Sequence, residues 1–121
     1  MKLKRVGFFR ELKHGDKFGM SLKEAVRNIS SENEDKIVEY LDNGVAFCVT
    51  AGLVSDVLDE SKGVIRNLEI LTDGMWAWPS DLSHYVKFYH IELDTHFLEH
   101  IKKNEWTMPN KKDIDLSRLE L

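Results

Sequence analysis

The chain has 121 residues, 42% of them hydrophobic and 31% charged, enough for one compact domain with a single core and too few for two. Its 17 basic and 21 acidic side chains leave a net charge of −4, which argues against a dedicated nucleic-acid binder with its large basic surface. One cysteine excludes an internal disulfide, and three tryptophans, three tyrosines and six phenylalanines are too many for a disordered chain.

The opening M-K-L-K-R-V-G-F-F-R-E-L starts like a signal peptide, but Arg10 and Glu11 break its apolar stretch. No apolar run approaches the roughly 18 residues that a membrane helix needs. Cys48 lies in V-A-F-C-V, which predicts a reduced, buried and inert thiol, so a cytoplasmic location with no membrane partner is expected. Charge is uneven along the chain: Met1 to Arg27 carries +5, Asn28 to Ile101 carries −10, and the remainder +1. The acidic middle fits either an ordinary mixed surface, with the basic ends folded over it, or a face for a basic partner.

In chain order, Ser21 and Glu24 form a capping-box pattern, followed by Leu22, Ala25, Val26 and Ile29 at helical spacing. A second box, Ser31 and Glu34, predicts a helix with Ile37, Val38 and Leu41 inward and a left-handed stop at Asn43-Gly44. Val45 to Thr50 reads as a central strand covered on both faces, broken by Ala51-Gly52. Leu53 to Leu58 fits a brief strand or a helical turn, and Asp59 to Gly63 a polar loop. Val64 to Leu71 reads as a strand with Leu68 and Ile70 on one face and Glu69 on the other. Thr72-Asp73-Gly74-Met75 then predicts a tight turn into a strand on which Trp76 and Trp78 share a face.

Pro79 ends that strand, and Ser80 is the expected cap of a helix running to about Tyr89, with Asp81 in its first turn and Leu82, Tyr85, Val86 and Tyr89 inward. A last helix starts near Asp94 and turns Phe97, Leu98 and Ile101 inward. The expected fold is α+β: a short antiparallel sheet built on the hairpin from Val64 to Trp78 and packed by about four helices. Residues 1–106 would form a single domain, and 107–121 a tail, docked or frayed, anchored by Ile114, Leu116, Leu119 and Leu121.

The block T-D-G-M-W-A-W-P-S-D-L-S-H-Y-V resembles a family of small, largely uncharacterised bacterial proteins that share T-D-G-x-W-x-W-P-S-D-L-x-x-Y-V. The resemblance extends to F-F-R-E-L-x-H-G near the start, to D-V-L-D at Asp56 to Asp59, and to the stretch from Tyr89 and His90 through Phe97, His100 and Trp106. Relatives tend to carry Pro-Glu-Glu-Phe where this chain has Asp94-Thr95-His96-Phe97. The family is loosely associated with immunity-like proteins and supplies no established catalytic residue.

Asp73, Trp76, Trp78, Asp81 and Tyr85 concentrate indoles, a phenol and carboxylates where a hairpin feeds a helix, with His90 close behind. Such residues serve equally as turn, cap and core, or as an interface, in which Trp and Tyr are enriched. His96 and His100 are an i, i+4 pair, but the chain reads H-F-L-E-H rather than H-E-x-x-H, so no metal site is expected. No G-x-S-x-G elbow, G-x-G-x-x-G loop or G-K-[ST] loop occurs, so neither a catalytic residue nor a cofactor is assigned. The function expected is a non-enzymatic, immunity-like protein-binding domain that masks a basic partner through an acidic and aromatic surface. The alternative is a small-ligand-binding protein or minor enzyme with a pocket lined by Trp76, Trp78, Tyr85 and His90.

Overall fold

The computed structural model describes residues 1–121. The elements are β1 (Lys4–Arg5), α1 (Leu22–Ala25), α2 (Glu34–Asp42), β2 (Val45–Ser55), β3 (Val64–Thr72), β4 (Trp76–Pro79), α3 (Leu82–Tyr89) and α4 (Thr95–Lys103), with short 3-10 turns at Glu60–Lys62, Lys111–Asp113 and Leu116–Arg118. The fold is α+β, as expected. Its sheet has the order β1-β4-β3-β2 and is mixed, because β1 runs parallel to β4 while the other pairs are antiparallel.

Strand alternation divides the core. Trp76, Trp78 and Leu71 point to the face covered by α1 to α4, where they meet Leu22, Ile37, Tyr40, Leu82, Tyr85, Phe97 and Ile101. Ala77 and Ile70 point to the other face, closed by Leu3 and Phe8 with Phe47, Leu68 and Leu119 at its margin. Leu68 and Ile70 share this face as the period of two requires. The Phe97 ring lies 5.1 Å from Trp76 and 5.6 Å from Trp78, tilted against both. In the tail, the peptide groups of Glu120 bond those of Met1 and Leu3.

Several local expectations need correction. The first helix is a single turn: Ser21 caps it, but Val26 turns extended and Ile29 is 82% exposed. The backbone beyond it bonds elsewhere, with Arg27 N–H donating to Tyr89 O and Glu92 N–H to Ala25 O, so tertiary bonds override the helical pattern. The N–H groups of Leu22 and Lys23 are satisfied by Glu11, a residue with no local sequence signal for that role. At the second box Glu34 accepts from Ser31 N–H, but the cap position is Asn33, in the left-handed region at φ 64°.

β2 is an edge strand of 11 residues rather than a central one, and Cys48, Val49 and Leu53 are exposed. Ala51-Gly52 does not break it. The Thr50 hydroxyl accepts from Gly52 N–H and donates to Leu68 O, so the extra residues form a bulge and pairing resumes at Leu53. Gly44 is not left-handed; a Cβ there would lie 2.7 Å from Trp78 Cζ2 and 2.9 Å from Leu71 Cβ, so the position is kept bare by close packing. Gly74, in contrast, has φ +97°, as its turn requires.

Ser80 does not cap α3. Its N–H donates to Glu69 O, and its hydroxyl donates to Asn67 O while accepting from Glu69 N–H, which prolongs the β3–β4 pairing past Pro79.

Candidate functional site

The residues singled out from the sequence do not form an exposed patch. Trp76 is 6% exposed and Trp78 0%, and Asp73, Asp81 and Tyr85 are buried with them. Burial is dictated by β4, whose two indoles must close the layer under α2 and α4. Trp78 satisfies its one donor by bonding Leu41 O at 3.1 Å. Nor do Trp76, Trp78, Tyr85 and His90 line a common pocket. His90 alone borders one, a hollow of about 310 Å³ whose apolar lining includes Ile29, Ile37, Val86, Ile91, Leu93 and Leu98.

The conspicuous polar chemistry is instead a set of acid–histidine pairs. Asp73 Oδ1 accepts from the N–H groups of Met75 and Trp76, shaping the turn, while Oδ2 accepts from the Tyr40 hydroxyl at 2.5 Å and lies 2.7 Å from His100 Nε2. Asn104 adds a bond to the same Tyr40 oxygen. Asp56, which the sequence reading did not single out as a site residue, accepts from Leu58 and Asp59 N–H and from the Tyr89 hydroxyl, with His84 Nε2 2.7 Å away. Asp81 has no side-chain capping bond. His14 Nε2 lies 3.3 Å from its Oδ1 in hydrogen-bond geometry and 3.1 Å from Oδ2, which is buried without a hydrogen-bond partner. Glu34 holds His90 Nδ1 at 2.9 Å.

These pairs leave their mark on ionisation. Burial opposes the charge on Asp56, but the bonds from His84, Tyr89 and two peptide N–H groups prevail and hold it below the usual carboxylate range. Burial likewise opposes the charge of Glu11, and the bonds from Lys23 and Leu22 N–H and the Ser21 hydroxyl bring it down to about 2. Burial, reinforced by the charges of Asp81 and Asp56 and partly offset by the Val57 N–H, pushes Tyr85 up to about 12. Tyr40 and Tyr89 rise for the same first reason, each with its aspartate adding to it.

Chemically the pairs fasten segments. A relay needs the acid on one imidazole nitrogen and the nucleophile on the other. At His90 both Ser30 Oγ and Glu34 converge on Nδ1. Around His14, His84 and His100 the bonded side chains are carboxylates and, at His100, the Asn104 amide, with no hydroxyl or thiol among them. His96 and His100 are i, i+4 within α4, but His96 is exposed beside Asp94 whereas His100 is mostly buried against Asp73.

With the central acids occupied internally, one surface feature is built by α2 and β2. On α2, Asp35, Glu39 and Asp42 lie opposite the buried face of Ile37, Tyr40 and Leu41, Glu32 stands in the turn just before the helix, and all four are exposed. Of these, only Asp42 reaches an ion pair, Arg66 at 3.9 Å. After Asn43-Gly44 the chain passes into β2, which holds no charged residue from Val45 to Ser55 and shows Val49 and Leu53 to solvent. No helix is long and apolar enough to cross a membrane. Comparison with known proteins finds no matching family model, no matching curated protein and no matching solved structure.

Proposed function

We propose that this chain is a non-enzymatic protein-binding domain that masks a basic partner, using the acidic outer face of α2 and the uncharged edge strand β2 as one continuous surface. The observation that carries the reading is the unpaired stripe of Glu32, Asp35 and Glu39 leading into an exposed apolar strand. An interface needs this combination: charge to steer the encounter and apolar area to hold it. The free backbone edge of β2 adds donors and acceptors for an extended partner segment. The resemblance of the T-D-G-x-W block to a family of small, largely uncharacterised bacterial proteins, loosely associated with immunity-like ones, is in line with the same reading. With Trp76 and Trp78 buried, the apolar part of this surface is Val49 and Leu53 in place of the aromatic residues expected from the sequence.

Cys48 makes the test direct, because it is the single cysteine and sits exposed within β2. A benzophenone attached to it should photocrosslink a basic protein in extracts of the native bacterium, after which the partner is purified and its affinity measured. Changing Glu32, Asp35 and Glu39 together to Lys should weaken binding at least tenfold with the fold intact, and raising salt should slow association. An acidic partner, or an affinity indifferent to the triple substitution, would sink the proposal.

A further inference from the structure

Away from that surface, the loop from Phe9 to Met20 holds a phenylalanine in the open. Phe18 is 94% exposed, and its neighbour Met20 is exposed beside it. The loop is not slack: Arg10 N–H bonds Met20 O, Asp16 N–H bonds Phe8 O, Gly19 N–H bonds Asp16 O, and Arg5 grips the Asp16 carboxylate through two bonds of 2.7 and 3.2 Å. A Cβ at Gly15 would lie 1.7 Å from Phe9 O, and one at Gly19 2.7 Å from Phe8 O, so both glycines are required by the closeness of the backbone. A fixed loop presenting an unsheltered ring has already met the ordering cost that binding usually carries.

The same side of the molecule has a groove. Three adjoining hollows of about 170, 470 and 310 Å³ follow the connector from Ile91 to Asp94; the first two share Met20, and the last two share Arg27, Glu92 and Leu93. The far hollow has the apolar lining described above and a size that accepts a phenyl ring. Charge offers a partial match: Lys13 and Lys17 on the loop have no acidic partner, and the groove is bordered by Glu24 and by Asp94, the α4 cap, together with Arg10 and the Arg27–Glu92 pair.

We infer that two copies of this chain pair about a two-fold axis, each seating Phe18 in the apolar hollow of the other. The anchor projects beside the groove that holds the receptor, so a two-fold arrangement lets each copy seat the other, and with that axis the contact closes at two copies instead of propagating into a filament. Lys13 and Lys17 of each copy then approach the acids along the other's groove.

The test uses the intact chain in sedimentation equilibrium across concentration. Wild type should dimerise. Phe18→Asp should weaken dimerisation at least tenfold with an unchanged thermal midpoint, since the ring touches little but Lys17. Ile29→Asp, at an exposed position on the hollow's rim, should do the same. Mixing the two variants should restore partial dimerisation, because the heterodimer keeps one intact seat while each homodimer keeps none. Wild type that stays monomeric at high concentration, a dimer indifferent to Phe18→Asp, or a mixture no better than its components would each overturn the proposal. Phe18-dependent binding of monomers to anionic vesicles would overturn it too, by giving the loop a lipid partner.

Discussion

Asp73 is the residue whose loss the fold should feel most, and Asp73→Asn isolates why. The substitution keeps size and shape, and one amide oxygen can still serve the Met75 and Trp76 N–H groups. The amide NH2 then faces the Tyr40 hydroxyl and His100 where Oδ2 accepted both. Flipping the amide only moves the clash of donors to the turn. A hydrogen bond to a charged group is worth about 1.5–3 kcal/mol, and Asp73→Asn turns two of them into opposed donors. We expect a loss of about 3–5 kcal/mol, a large part of the roughly 5–15 kcal/mol that such domains possess. Tyr40→Phe, which removes the bond to Asp73 and the one from Asn104 but leaves His100 in place, should cost about 1–3 kcal/mol. Equilibrium urea unfolding followed by tryptophan fluorescence suits the measurement, because Trp76 directly follows the turn. A loss below about 1 kcal/mol for Asp73→Asn at an unchanged m-value would refute the idea that this carboxylate organises α2, α4 and the hairpin together.

Gly44→Ala should destabilise by about 1–3 kcal/mol through the clash with Trp78 and Leu71, whereas Gly63→Ala, with nothing within 4 Å of its Cβ, should cost only the strain of its positive φ, about 1–3 kcal/mol; thermal melts of both, with Trp78→Phe expected to relieve the first alone, check this. Cys48 should react rapidly with a thiol reagent in the folded protein at neutral pH, and protection like that of a buried thiol would contradict the edge position of β2. Acid stability follows from Glu11 and Asp56: their folded-state values lie below the unfolded ones, so the stability they confer is complete above about pH 4.5 and drains away as pH falls toward 2, and Glu11→Gln should flatten that decline in the melting midpoint. At the alkaline end the sign reverses: Tyr85 keeps its proton more tightly when folded, so stability present below pH 10 is lost as pH rises toward 12, and Tyr85→Phe should reduce that loss in pH-dependent melts.

What the sequence revealed was local. The Asp-Gly turn, the shared face of Trp76 and Trp78, and the stripe of Leu82, Tyr85 and Val86 all follow from short-range geometry, and each is present. What it concealed was the partner across the chain. Nothing near Ser21 indicates that Glu11 satisfies the helix start, and nothing near Asp56 indicates His84 and Tyr89. Apolar β-branched residues marked Val45 to Thr50 as a strand but could not say whether another strand lay beyond it, since burial depends on sheet order. The aromatic cluster was legible as a cluster; whether it faced water was decided by α2 and α4, which are remote in sequence.

The acid–histidine pairs also constrain how this protein can change over generations. Removing the histidine strands a fully buried carboxylate, and removing Asp73 strands not only His100 but also the Tyr40 hydroxyl and the N–H groups of Met75 and Trp76, so even a paired apolar replacement leaves donors unmet. Single steps away from Asp73–His100, 27 positions apart, therefore descend into a fitness valley that a second change at position 100 does not climb out of. Across any lineage carrying this fold, Asp73 should be kept wherever Tyr40 and His100 are, and Asp56 wherever His84 and Tyr89 are, whereas position 14, whose histidine is the one side chain bonded to Asp81, should be inherited together with position 81.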